Sequence, residues 1–134
     1  MQKLNCILLV DDDDITNFVH ESLLEEADVT EEILVAKNGQ EALNLLTQRF
    51  EESKEYPALI FLDINMPVMN GFEFLEKYQR LDESIKQSVH IVVLTTSLNI
   101  RDIERTRDTG IADFLNKPLT YEKLRGALEK HFGD

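Results

Sequence analysis

At 134 residues with 43% hydrophobic composition, the chain has the size and apolar content of one compact domain that buries its own core. A net charge of −12 and a pI near 4.6 repel phosphate backbones and anionic lipid surfaces, which argues against direct nucleic-acid binding and a membrane partner. The lone cysteine, Cys6, excludes a disulfide framework, and no stretch approaches the roughly 20 apolar residues of a membrane span, so the expectation is a cytoplasmic protein.

The first strand-like run, Leu4 to Val10, ends at Asp11-Asp12-Asp13-Asp14. The acidic block also interrupts it too early for a secretory signal. A helical segment follows with Ile15, Phe18, Val19 and Leu23 on one apolar face, as in a core-facing helix, and Asp13 or Asp14 available to cap it. Glu32 to Ala36 is the second run, and Asn38-Gly39-Gln40-Glu41 opens a second helix carrying Ala42, Leu45, Leu46 and Phe50. The polar stretch Arg49 to Tyr56 reads as a helix end plus loop. Ala58 to Leu62 then closes on Asp63, followed by Ile64-Asn65-Met66-Pro67, and Asn70-Gly71 starts a third helix with Phe72, Leu75 and Tyr78. Val89 to Leu94 runs into Thr95-Thr96-Ser97, and a fourth helix is predicted from near Asn99, through Ile100 and Ile103, to a stop at Gly110. Ile111 to Leu115 leads to Lys117-Pro118, and a fifth helix runs from Thr120 through Leu124, Ala127 and Leu128 to Phe132.

Most of the five runs are near-continuous Val, Ile, Leu and Phe, the mark of strands covered on both faces. Five alternations of strand and helix with right-handed crossovers predict a doubly wound (βα)5 open parallel sheet. The flavodoxin-like strand order 2-1-3-4-5 would place the switch in strand order between strands 1 and 3, the two that end in Asp11 and Asp63.

Carboxylates that converge at one sheet edge repel one another until a proton or a cation relieves them. A hard divalent cation does so economically, since Mg2+ takes one or two carboxylates, keeps waters and completes its shell with a phosphoryl oxygen. Aspartates are also good caps, and Asp13 and Asp14 read as caps or solvated residues. A carboxylate such as Asp63 can attack a phosphoryl group when a metal and a cation offset the charge on the transferred oxygens. Lys117 can supply that cation; otherwise a lysine after a strand is a solvated surface charge. The Thr95 hydroxyl can donate to a phosphoryl oxygen.

On these residues the chain resembles a response-regulator receiver domain of two-component signalling. ILLVDDD, FLDINMPVMNGFEFL, VVLTTS and FLNKPLT stand in that family's order and spacing along the whole chain. The resemblance implies that Asp63 is the phosphoacceptor, that Asp11 and Asp12 hold Mg2+, and that the backbone carbonyl of Asn65 adds a ligand. It further implies Thr95 as the switch hydroxyl, Lys117 as the lysine that contacts the phosphoryl group, Pro118 in cis, and Phe114 as the switch aromatic. Thr96 stands where the family often has alanine, and Asn65 and Ser97 occupy its lifetime-tuning positions. The implied partners are a histidine kinase or histidine phosphotransfer protein as donor and a downstream protein target. A dimer could form through the face made by the fourth helix, fifth strand and fifth helix. Residues 1–134 are expected to form a single receiver domain with no attached output domain, a signalling switch rather than a conventional enzyme.

A rival reading takes Asp12-x-Asp14-x-Thr16 as the nucleophile motif of a haloacid-dehalogenase-like, Mg2+-dependent phosphatase. It leaves Asp63 without a role, and beyond Lys117 it finds only Glu122, Glu129 and Asp134 for its late acidic motif. His20, His90 and His131 form no recognisable metal set and read as helix-face and strand-edge residues.

Overall fold

The apolar runs form a single parallel sheet, seen in a computed structural model that describes residues 3–96, 101, 104, 111 and 113–133. Its elements are β1 (Leu4–Val10), α1 (Asp14–Ala27), β2 (Thr30–Ala36), α2 (Gly39–Glu51), β3 (Leu59–Leu62), α3 (Gly71–Tyr78), α4 (Glu83–Ser88), β4 (His90–Thr95), β5 (Asp113–Asn116) and α5 (Tyr121–Phe132). The order β2-β1-β3-β4-β5, every neighbour parallel, is the doubly wound, flavodoxin-like arrangement expected from the strand runs.

Strand alternation divides the apolar residues between two cores. Leu8, Val10, Ile60, Leu62, Ile91 and Val93 face α2 and α3, where they meet Leu46, Phe74 and Leu75. Ile7, Leu9, Leu59, Phe61, Val92 and Leu94 face the other way and pack on Leu24 of α1 and on Leu124 and Leu128 of α5. Each fully buried Leu or Ile contributes roughly 1.5–3 kcal/mol, so the central strands β1 and β3 are the most firmly held part of the fold. At the edge, Glu31 and Glu32 of β2 are exposed, and such charges discourage pairing with another strand.

Local chemistry sets the helix starts. Asn38 caps α2 by accepting from Glu41 N, and Asn70 with Glu73 forms a capping box on α3. Gly71 is required where α3 leaves the sheet: a Cβ there would stand 2.7 Å from Asp63 O and 2.8 Å from Ile64 Cα. Thr120 caps α5, whose Leu124, Ala127 and Leu128 are buried as predicted.

Three features depart from the sequence reading. In α1 the predicted face is turned outward: Ile15, Phe18 and Val19 are 73%, 70% and 50% exposed, whereas Asn17, His20 and Leu24 are buried and Leu23 sits at the margin. The physical reason is position along the sheet. The C-terminal half of α1 covers apolar strand, but its first turns lie against loops whose backbone groups need hydrogen-bond partners. Second, Asp82 caps the short helix α4, which has one buried apolar residue, Ile85, and too little periodicity to be read from sequence. Third, strand ends shift by up to two residues: β2 begins at Thr30, β4 runs from His90 through Thr95, and β5 spans Asp113–Asn116. Ser97 and, apart from residues 101 and 104, which are helical, the predicted helix from Asn99 to Gly110 lie outside the described residues. Among the described residues, no helix is long and apolar enough to cross a membrane.

Candidate functional site

Register alone brings the first two carboxylates together. Val10 pairs with Leu62, so Asp11 and Asp63 emerge side by side where β1 and β3 end. Asp11 N donates to Ala36 O at 3.1 Å and Asp63 N to Val10 O at 2.9 Å, extending the ladders by one bond. Asp11 and Asp63 are only 4% and 6% exposed, whereas Asp12 stands in solvent beside them. One carboxylate oxygen from each of Asp11, Asp12 and Asp63 lies within 4.8 Å of the others.

The register of the acidic block follows from what its other members do. Asp13 accepts from Thr16 N at 3.3 Å as the α1 cap and also bonds the Thr16 hydroxyl at 2.5 Å, while Asp14 pairs with Lys37 at 2.7 Å. That leaves Asp11 and Asp12 for the cluster. The phosphatase-like motif finds no support in the same contacts, because Asp14 and Thr16 stand at the start of α1 engaged with Lys37 and Asp13.

From β5 comes the cation. Lys117 Nζ lies 2.5 Å from Asp11 Oδ2 and 3.3 Å from Asp63 Oδ1, with its side chain 15% exposed. Its backbone N donates to Thr95 O at 2.9 Å, tying the lysine loop to the end of β4, and the Lys117–Pro118 bond is cis as the resemblance implied. Thr95 is buried at that strand end, while Thr96 and Asn65 are exposed at the rim. Phe114, half-buried in β5, packs against the core shared by α2 and α3.

Burial pushes the Asp63 carboxyl above its ordinary pKa; Lys117 opposes the rise and the charge of Asp11 adds to it. Burial pulls Lys117 down, but the hydrogen bond with Asp11 and the charges of Asp63 and Asp11 outweigh it, so the lysine stays charged. Three carboxylates against one ammonium leave an excess of negative charge, which a hard cation with a preference for oxygen ligands relieves. The donor set therefore fits Mg2+ or a similar ion.

Two buried residues that hydropathy did not single out also reach this site. Asn17 Nδ2 donates to Asp11 O at 2.8 Å, and His20 Nε2 accepts from Leu119 N at 3.4 Å. With Leu24 they form an i, i+3, i+7 stripe, the one signal available in the sequence. His90 and His131 belong to the opposite end of the sheet. His90 opens β4 with its ring 4.6 Å from that of Phe132, and His131 lies 3.5 Å from Asp113.

An open groove of about 330 Å3 adjoins the cluster, walled by Ile15, Thr16 and Val19 of α1 and by Thr96, Lys117 and Pro118. In the loop between β3 and α3, Val68 is 80% exposed at the tip of a tight turn in which Met69 N donates to Pro67 O at 2.7 Å. Its φ of 67° is uncommon for a β-branched residue.

The sequence matches the model of the response regulator receiver domain over residues 7–129. Among solved structures, a two-component response regulator from Cytophaga hutchinsonii superposes with a TM-score of 0.88 at 29% identity, covering 99% of this chain and 100% of that one. A two-component response regulator from Legionella pneumophila is 35% identical with a TM-score of 0.78, over 94% of this chain and 98% of its own. The Mn2+-bound form of response regulator Rcp1 matches at 26% identity and a TM-score of 0.75, over 97% and 95% of the two chains.

Proposed function

This chain belongs to the response regulator receiver domain family of two-component signalling, and we propose that Asp63 is its phosphoacceptor, served by Asp11, Asp12, Asn65, Thr95 and Lys117. The observation that carries the proposal is the convergence of three carboxylates and one half-buried ammonium from the ends of β1, β3 and β5. The donor is a phosphohistidine on a histidine kinase or phosphotransfer protein. An Asp63 carboxylate oxygen attacks phosphorus in line, the P–N bond breaks, and the imidazole leaves with the electron pair. The domain contributes orientation and charge compensation.

Asp11, Asp12 and Asp63, with the Asn65 carbonyl, hold a divalent cation of the Mg2+ type, which neutralises charge on the transferred oxygens when bound. The site's carboxylates support this, as does the Mn2+ reported in the relative Rcp1. Lys117, already seated between Asp11 and Asp63, turns its ammonium to a phosphoryl oxygen, and Thr95 donates its hydroxyl to another. Water later hydrolyses the acyl phosphate. The change at Thr95 and Phe114 biases the face containing β5 and α5, where a downstream protein or a second copy reads it.

The donor docks on the outward apolar face of α1, where Ile15 and Val19 wall the groove beside Lys117 and Phe18 is exposed on the same helix. To test the assignment, the protein is incubated with Mg2+ and a small phosphodonor such as acetyl phosphate and analysed by intact mass and peptide mapping. One phosphoryl group on Asp63, absent from Asp63→Asn, is the expected result; label that persists in Asp63→Asn or maps to Asp12 overturns it.

A further inference from the structure

Helix α1 exposes its apolar stripe and buries a polar one, and the two buried polar residues reach different halves of the site. Asn17, 4% exposed, binds the backbone carbonyl of Asp11, where β1 hands over to the acidic pair. His20, 3% exposed, accepts from the backbone N–H of Leu119, two residues past Lys117. Both line a cavity of about 10 Å3 beneath the carboxylates of Asp11 and Asp63. One helix therefore braces the loops that present the metal-binding carboxylates and the lysine.

These residues are poor choices for packing alone. Asn17 Oδ1 is buried without a hydrogen-bond partner, and such a group costs stability that an apolar side chain of similar size avoids. His20 is held neutral because burial lowers its pKa and its Nε2 must accept, which places the proton on Nδ1. Each side chain spends its polar contact on a backbone group of a loop that carries site chemistry.

We propose that Asn17 and His20 are positioning residues with separable tasks: Asn17 sets the acidic loop for the divalent cation, and His20 sets the Lys117 loop for phosphoryl transfer. The separation follows from geometry, since the Asn17 amide bonds the backbone of Asp11 and the His20 imidazole bonds that of Leu119. The proposal rests on Asp63 being the phosphoacceptor, so wild-type protein is first labelled at Asp63; failure there removes that assignment and not the bracing geometry.

Three quantities are then measured on the full chain: Mg2+ affinity by calorimetry, the rate of acetyl phosphate labelling at saturating Mg2+, and Tm. Asn17→Ala should weaken Mg2+ binding about tenfold, as loss of a residue orienting a ligand does, with the saturated rate within about twofold of wild type. His20→Leu should leave Mg2+ affinity within about twofold and slow the saturated rate about tenfold, as a displaced catalytic group does. His20→Gln, whose amide oxygen reaches the same backbone N–H, should recover most of that rate. If His20→Leu does not fold, His20→Asn, too short to reach Leu119, takes its place. Affinity and rate moving together in either variant, neither moving while Tm falls, or no recovery in His20→Gln overturns the proposal.

Discussion

At Asp63 the requirements of chemistry and of folding are opposed. Its folded pKa lies above the ordinary carboxylate value, chiefly because of burial, so the folded protein holds the Asp63 proton more tightly than the unfolded chain does. The stabilisation from this group is complete below the unfolded pKa and disappears as pH rises through the folded one. At neutral pH the ionised residue is therefore a net cost, and Asp63→Asn is expected to raise Tm at pH 7. Melting curves from pH 3 to 8 should show the gain shrinking as pH falls toward the ordinary carboxylate range; a constant gain would contradict the burial argument. Asp11, Asp63 and Lys117 were legible in the sequence because each ends or follows an apolar strand. Asn17 and His20 were not, because Ile15, Phe18 and Val19 offer a more apolar stripe on the same helix. Only the placement of site loops against its first turns decides which stripe turns inward.

Among the elements, α1 and α3 carry the sharpest expectations. Phe18 is 70% exposed, so Phe18→Asp should change stability by no more than about 0.5 kcal/mol. It should slow transfer from a phosphohistidine protein by on the order of tenfold or more while leaving acetyl phosphate labelling intact. Equal loss with both donors would place Phe18 in the chemistry instead of the docking face. In α3, Gly71→Ala forces a Cβ into backbone atoms of Asp63 and Ile64 and should cost about 1–3 kcal/mol in denaturant unfolding. Helices α2, α3 and α5 were readable because cap residues and apolar spacing agree, as at Asn38, Asn70 and Thr120. Helix α4 was hidden because six residues with one buried side chain carry no period.

Across the whole molecule, the alternation of strands and helices made the fold class and strand order legible, since right-handed crossovers leave few alternatives for five parallel strands. The net charge of −12 and the acidic cluster together mean that divalent cations should stabilise the folded state by linkage. At a Mg2+ concentration 100 times its Kd the gain should be about 2.7 kcal/mol, on the order of 10 °C in Tm. Differential scanning calorimetry with and without Mg2+ should show this shift in wild type and lose most of it in Asp11→Asn. The bond from Lys117 to Asp11 spans 106 residues of chain. A contact of that sequence separation is expected to close late in folding, because its loop-closure entropy must be met before the contact rewards it. The ion pair is then a latch on an already folded body, and Lys117→Gln is expected to speed unfolding while leaving the folding rate nearly unchanged in stopped-flow kinetics.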